Sequence, residues 1–125
     1  ASVFGALACQ LKAGDHLVSS KALFGSCYQI VTSILPRFGI RTTLVDGGDL
    51  NAWKEAITAE TKCVFLETPS NPTLEVIDLE AVCSIAKAKG VTVVVDNIFA
   101  TPILQRPLAY GADVIVYSGT KHMDG

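Results

Sequence analysis

The segment Val91-Thr92-Val93-Val94-Val95-Asp96-Asn97 is a run of β-branched residues that ends in two polar ones. Val and Thr fit the pleated surface of a strand. Because the run is continuously apolar and does not alternate, it indicates a strand buried on both faces, which is typical of parallel sheets. The sequence therefore predicts an α/β protein with a mostly parallel sheet that helices cover on both faces.

Other apolar segments predict further strands on either side of this one. The five predicted strands are His16–Ser20, Arg41–Val45, Cys63–Glu67, Thr92–Asp96 and Asp113–Ser118. Helical patterns alternate with them, which favours right-handed βαβ units. The predicted helices are an N-terminal helix closed by Gly14, then Gly25–Leu35, Asp49–Ile57, Asp78–Lys89 and a short turn at Pro107–Tyr110.

The composition excludes several classes of protein. The chain has 125 residues, of which 50% are hydrophobic and 18% charged, and its net charge is −2. This hydrophobicity excludes a disordered chain. There is no basic excess to neutralise phosphates, so no nucleic-acid partner is expected. The longest apolar runs fall well short of the roughly 20 residues that a membrane helix needs, so no membrane partner is expected.

The two ends of the chain indicate whether it is part of a longer protein, and its cysteines indicate the cellular compartment. The N-terminal residues lack the basic start of a signal peptide. We expect both ends to be cut, which would make the chain a piece of a longer protein. The four cysteines form no CxxC pair, so we expect buried, reduced thiols, no metal site and a cytoplasmic protein. They are Cys9, Cys27, Cys63 and Cys83.

Polar residues gather where three predicted strands end. Asp96 ends one strand, residues 67–72 (ETPSNP) follow another, and residues 118–121 (SGTK) follow the last. In open α/β sheets, ligands bind outside the carboxyl ends of the strands. The three clusters therefore predict one site.

The residue types in these clusters suit one kind of chemistry. The amine of Lys121 can form a Schiff base with a carbonyl compound or with pyridoxal phosphate. Ser118 and Thr120 can hydrogen-bond a phosphate. A carboxylate at the end of a buried strand, such as that of Asp96, needs a partner, and a protonated pyridine nitrogen would serve. Phe24, in a glycine-bearing turn, can stack on a ring. Each of these residues, taken alone, is weak evidence for a pyridoxal-phosphate site.

Taken together, long segments of the chain resemble a known enzyme family. The segments are residues 11–31 (LKAGDHLVSSKALFGSCYQIV), 65–78 (FLETPSNPTLEVID) and 93–122 (VVVDNIFATPILQRPLAYGADVIVYSGTKH). They look like the cysteine/methionine-metabolism branch of the fold-type I pyridoxal-phosphate enzymes. The resemblance runs the length of the chain and implies the large cofactor-binding domain of the aspartate-aminotransferase-like fold. The N-terminal arm, the end of that domain and the C-terminal small domain would be absent.

The resemblance also implies roles for individual residues. Lys121 matches the Schiff-base lysine that moves protons, and Asn71 matches a residue near the substrate carboxylate. The positions that match cofactor-binding residues are Phe24, Asp96, Ser118, Thr120 and Lys121. Relatives commonly have Tyr where Phe24 stands and Thr where Ile98 stands. The family setting also makes a cis peptide bond between Asn71 and Pro72 an expectation.

The departures from the family pattern favour one activity. The Phe24 turn, Ile98 and the ending at residues 121–125 (KHMDG) are similar to the O-succinylhomoserine sulfhydrylases. The implied reaction is a pyridoxal-phosphate-dependent γ-replacement on O-succinylhomoserine with sulfide, which yields homocysteine in methionine biosynthesis. Cystathionine γ-synthase, cystathionine lyase and methionine γ-lyase remain alternatives within the family. The family also implies a homotetramer built from two active dimers.

Two interpretations from other classes remain. A nucleotide-binding oxidoreductase domain would need a G-x-G-x-x-G turn after a strand, and the sequence has none. A non-catalytic α/β interaction domain would not need a lysine, an acid and hydroxyls together at coincident strand ends.

Overall fold

The computed structural model describes residues 1–123, and within them five strands alternate with helices. The strands are β1 (His16–Ser20), β2 (Arg41–Val45), β3 (Thr61–Glu67), β4 (Thr92–Asp96) and β5 (Val114–Val116). The α-helices are α1 (Ser2–Ala8), α2 (Gly25–Gln29), α3 (Leu50–Ala56), α4 (Leu79–Ala88), α5 (Thr101–Leu104) and α6 (Gly119–His122). A π-helix (Ile30–Ile34) and two 3₁₀ helices (Leu35–Phe38 and Pro107–Tyr110) complete the secondary structure of this part.

The strands form one sheet in the order β2-β1-β3-β4-β5, and every pair is parallel. The predicted parallel α/β fold is therefore confirmed. Because all five strands run the same way, their carboxyl ends share one edge of the sheet. The register at that edge places Glu67 of β3 beside Asp96 of β4, and Asp96 beside Val116 of β5.

Both faces of the sheet are packed, because successive side chains of each strand point to opposite sides. In β3, Val64 and Leu66 enter one apolar cluster with Trp53 of α3 and Val82 of α4. Phe65 enters the other cluster, which contains residues of α1 and α2. All five of these side chains are fully buried. Burial on both faces explains why the strand sequences are continuously apolar.

The predicted helix boundaries hold best where a side chain caps the helix. Asp49 accepts hydrogen bonds from the N–H groups of Asn51 and Ala52 at the start of α3. Asp78 accepts one from Ala81 at the start of α4. Carboxylates at this position satisfy N–H groups that have no partner within the helix.

Four local predictions were wrong. Helix α1 ends at Ala8, and Gly14 lies in a later turn, where its φ is +94° and its N–H donates to the carbonyl of Gly39. The helix predicted from residue 25 to residue 35 changes from α to π geometry at Ile30. Cys9 is exposed, whereas the other three thiols are buried as predicted. The strand predicted to extend to residue 118 ends at Val116.

The loop after β3 contains two cis peptide bonds. The Asn71–Pro72 bond is cis, as predicted, and so is the Thr68–Pro69 bond, which was not predicted. Ser70 lies between them and is fully buried. This loop leaves the sheet at the edge where Glu67 and Asp96 lie.

Several large apolar side chains that follow β4 in the chain are exposed on the surface. Ile103 and Leu104 of α5 are 85% and 81% exposed, and Leu108 is 64% exposed. Contiguous exposed apolar residues mark surfaces that contact something else. Within residues 1–123, no helix has the length and apolarity needed to cross a membrane.

We expect Asp49→Ala to lower the free energy of unfolding by about 1 kcal/mol, because two N–H groups of α3 lose their acceptor. Urea denaturation followed by Trp53 fluorescence would measure the change. Glu55→Ala, an exposed substitution on the same helix, should change it by less than about 0.5 kcal/mol. Equal effects of the two substitutions would contradict the capping role.

Candidate active site

A cleft of about 310 Å³ lies at the carboxyl edge of the sheet. The ends of β3, β4 and β5 form its floor, and the chain leaving β1 and β5 forms its walls. All six site residues predicted from the sequence line this cleft: Phe24, Asn71, Asp96, Ser118, Thr120 and Lys121. The structure therefore brings together residues that are up to 97 positions apart in the chain.

Asp96 lies at the floor of the cleft with 7% of its surface exposed. Its Oδ1 atom accepts a hydrogen bond of 3.1 Å from the N–H of Ile98. Burial raises the pKa of the Asp96 carboxyl above its ordinary value, although the bond from Ile98 opposes this shift. A buried carboxylate of this kind is stabilised by a cation placed next to it.

The segment after β5 supplies the hydroxyl groups and the amine. Ser118 precedes α6, and its Oγ atom lies 2.8 Å from Oγ1 of Thr120. The N–H of Lys121 donates to the carbonyl of Ser118, which closes the turn. All three residues line the cleft. The strand thus ends where a compact turn can present two hydroxyls and one amine to the same ligand.

Phe24 and Asn71 lie on loops that leave neighbouring strands. Phe24 precedes α2 and is about half exposed, so one side of its ring is free to contact a ligand. Asn71 follows β3 and is partly buried. The backbone N–H groups of both residues donate to Glu67, at 2.6 Å and 3.0 Å respectively.

Glu67 is almost fully buried, with 1% of its surface exposed. Burial raises the pKa of its carboxyl from the ordinary 4.5 to about 7, and the nearby charge of Asp96 adds to this shift. The hydrogen bonds from Phe24 and Asn71 oppose it, because they favour the ionised form. Two acids thus lie at the floor of one cleft, and ionisation of Asp96 disfavours ionisation of Glu67.

A second set of contacts was missed by the sequence analysis. Asn97 is fully buried, and its Nδ2 atom donates to the carbonyl of Gln105 at 3.0 Å and lies 3.0 Å from the hydroxyl of Tyr117. Gln105 in turn donates to the side-chain oxygen of Asn97 and to the carbonyl of Thr68. This network joins the ends of β3, β4 and β5. The position of Asn97 directly after a buried strand was the available signal, whereas nothing marked Gln105.

The remaining cleft residues offer little chemistry of their own. Burial raises the pKa of the Cys27 thiol to about 11, with the charges of Asp96 and Glu67 contributing, so the thiol stays protonated near neutral pH.

Within residues 1–123, no group of three or more His, Cys, Asp or Glu side chains is placed to hold a metal ion. Ile98 also lines the cleft, so the position that departs from the family pattern faces the ligand space.

Comparison with known protein families shows which family the chain belongs to. The family described as "Cys/Met metabolism PLP-dependent enzyme" matches residues 1–125. The chain belongs to this family. PLP is pyridoxal phosphate, and the relatives of this chain in the family are lyases and transferases of cysteine and methionine metabolism.

Two curated relatives show how far the sequence similarity extends. The O-succinylhomoserine sulfhydrylase of Mycobacterium tuberculosis is 52% identical over 125 residues, which is 100% of this chain and 31% of that protein. The L-methionine gamma-lyase of Fusobacterium nucleatum is 47% identical over 116 residues, which is 92% of this chain and 29% of that protein. The chain thus spans about a third of the length of the relatives it matches.

Solved structures of the Cys/Met family share the fold. The metB protein of Corynebacterium glutamicum is 36% identical, with a TM-score of 0.91 over 97% of this chain and 32% of that one. The metY protein of Campylobacter jejuni is 34% identical, with a TM-score of 0.92 over 95% of this chain and 30% of that one. That structure contains N'-pyridoxyl-lysine-5'-monophosphate.

The raised pKa of Glu67 predicts a pH-dependent difference between the wild type and Glu67→Gln. The unfolded chain releases this proton near pH 4.5, whereas the folded chain holds it until about pH 7. The stability that the wild type gains from Glu67 is therefore complete below pH 4.5 and is lost as the pH rises to about 7. The expected loss is on the order of 3 kcal/mol, because a shift of one pKa unit corresponds to about 1.4 kcal/mol.

Urea denaturation of both proteins between pH 4.5 and pH 8 would measure this difference, because titrating groups that do not interact with Glu67 cancel in the comparison. A difference in unfolding free energy that does not change with pH would show that Glu67 ionises in the folded chain as it does in water.

Proposed function

We propose that the cleft binds pyridoxal phosphate and an amino-acid substrate, with Lys121 as the catalytic residue. The observation that carries this proposal is the convergence of Lys121, Asp96 and the Ser118/Thr120 pair on one cleft in a chain of the Cys/Met family. A non-catalytic α/β interaction domain would have no need for this convergence.

The residues of the cleft fit the proposed cofactor. The buried carboxylate of Asp96 accepts one backbone hydrogen bond and has its pKa raised by burial, so a protonated pyridine nitrogen beside it would relieve the cost of its charge. Ser118 and Thr120 present hydroxyls for the phosphate. Pyridoxal phosphate supplies an electron sink that stabilises negative charge on the substrate carbon.

This proposal gives each of the predicted site residues a defined role. Lys121 would hold the cofactor through its Nζ atom and, once displaced by the substrate amine, would carry protons between carbon atoms of the substrate. Phe24 would stack on the cofactor ring. Asn71 would contact the cofactor oxygen and the substrate carboxylate. Asp96 would keep the ring nitrogen protonated.

For the reaction, we propose γ-replacement on O-succinylhomoserine with sulfide, which yields homocysteine in methionine biosynthesis. The support is the 52% identity to an O-succinylhomoserine sulfhydrylase over the whole chain, together with Phe24 and Ile98, which both line the cleft. The third feature of this subgroup, the ending at residues 121–125, lies partly outside the described residues.

A lyase reaction is the second candidate, because an L-methionine gamma-lyase is 47% identical over 92% of the chain. A cystathionine beta-lyase of Lactococcus lactis is 46% identical over 90% of it. The two candidates differ in product, since the sulfhydrylase releases homocysteine and a lyase releases a keto acid. Product analysis with O-succinylhomoserine and sulfide separates them.

We also propose that the 125 residues are part of the large cofactor-binding domain of a longer, cytoplasmic protein that assembles as a homotetramer of two active dimers. The support is the coverage of about a third of each relative and the exposed apolar side chains on α5 and the following 3₁₀ helix. The N-terminal arm, the rest of the large domain and the small domain would lie outside these residues. On this proposal, the isolated 125-residue chain binds cofactor poorly and does not turn over substrate.

The test of the proposed function is chemical trapping in the full-length protein. Borohydride reduction of the protein loaded with pyridoxal phosphate should fix the cofactor on Lys121, as seen in the peptide masses. Lys121→Ala should lose the trapped cofactor and should lower turnover by at least about 10³-fold, because among residues 1–123 no other side chain that lines the cleft carries an amine.

Lys87→Ala, which removes an amine from α4 outside the cleft, is the matched control and should leave both results unchanged. A colourless protein that reduction does not label after addition of pyridoxal phosphate would refute the proposal. Labelling at a lysine other than Lys121 would refute the assignment of the residue.

A further inference from the structure

The carboxyl group of Glu67 joins two loops of the cleft. Its Oε2 atom accepts a hydrogen bond of 2.6 Å from the N–H of Phe24, and its Oε1 atom accepts one of 3.0 Å from the N–H of Asn71. Both donors are backbone groups, so the bonds fix the course of the loops as well as the side chains. With only 1% of its surface exposed, Glu67 exchanges neither bond readily for water.

The two loops come from different strands and carry different parts of the site. Phe24 follows β1, and its backbone (φ −55°, ψ 140°) is close to polyproline II geometry just before α2 begins. Asn71 follows β3 and precedes a cis peptide bond. Strands β1 and β3 are neighbours in the sheet. Glu67, the last residue of β3, therefore lies where it can hold one loop against the other.

We propose that Glu67 is a positioning residue that clasps the Phe24 turn to the Asn71 loop and so fixes the width of the cleft between them. This inference rests on the proposed function, in which Phe24 contacts the cofactor ring and Asn71 contacts the substrate. The clasp needs two oxygen acceptors on one side chain, which Glu supplies and Gln does not, because Gln carries an NH₂ group in place of one oxygen.

The charges around the clasp support its link to ligand binding. Asp96 pairs with Glu67 in the sheet register, and its negative charge favours the protonated form of Glu67. A cation bound next to Asp96 would offset this repulsion and favour the ionised form, in which both oxygens accept hydrogen bonds well. Occupation of the site by a cationic ring would thus tighten the clasp.

Hydrogen exchange of the full-length protein without cofactor tests the clasp directly. In Glu67→Gln, one oxygen acceptor is replaced by an NH₂ group that cannot accept. The exchange protection of the peptide N–H groups at Phe24 and Asn71, measured by mass spectrometry on segments 21–30 and 67–78, should fall on the order of 10- to 100-fold. Both segments should loosen together.

Two controls separate a clasp from general loosening. Thr68→Val removes the acceptor for the N–H of Ile77 within the β3 loop alone, so it should loosen segment 67–78 and leave segment 21–30 protected. Glu80→Gln removes an exposed charge on α4 and should affect neither segment. If Glu67→Gln fails to fold, Glu67→Asp keeps the charge on a shorter side chain and should show the same joint loss.

A spectroscopic measurement connects the clasp with the site. In the protein loaded with pyridoxal phosphate, Glu67→Gln should lower the visible circular dichroism of the cofactor, because its ring loses a fixed neighbour, whereas Thr68→Val should retain it. Unchanged protection at both segments, or loosening of one segment alone, would overturn the proposal. A wild-type protein that binds no pyridoxal phosphate would refute the proposed function. The hydrogen-exchange experiment would still test the clasp, because it is done without cofactor.

Discussion

The buried carboxylate of Asp96 is the constraint around which the cleft is organised. It ends strand β4, which lies between β3 and β5, is 7% exposed and accepts a backbone hydrogen bond from Ile98. A charge in such a place is costly unless an opposite charge meets it. The neighbouring Glu67 increases that cost, since two acids share one cleft floor. On the proposed function, a cationic ring bound next to Asp96 would offset this cost.

The sheet determines where this conflict arises. Because β1, β3, β4 and β5 are parallel and packed on both faces, their carboxyl ends meet at one edge, where helices no longer cover the backbone. Polar side chains that follow each strand therefore converge even when they are far apart in sequence. The hydrogen bonds of Asn97 and Gln105 then link the ends of β3, β4 and β5, so the backbone at the floor of the cleft is held in place.

Much of this arrangement could be predicted from the sequence, because burial on both faces leaves a strong pattern. The strands β1, β2 and β4 match their predicted bounds, and the capped helices α3 and α4 nearly do. The transition to π geometry at Ile30 and the exposure of Cys9 depend on tertiary packing, which leaves no local signal. The clasp by Glu67 joins N–H groups from two loops, so no single segment of sequence could reveal it. The cofactor-binding roles of the cleft residues were suggested by their residue types and assigned by the family resemblance, and they stay predictions.

The affinity of the full-length protein for pyridoxal phosphate tests most directly whether Asp96 provides a negative charge for a cationic cofactor. Asp96→Asn keeps the size of the side chain and an oxygen that can accept from Ile98, but it removes the charge. Absorbance titration should show binding weakened on the order of 10- to 100-fold relative to the wild type, the loss expected for a charged hydrogen-bond partner. Equal affinities of the two proteins would contradict the account.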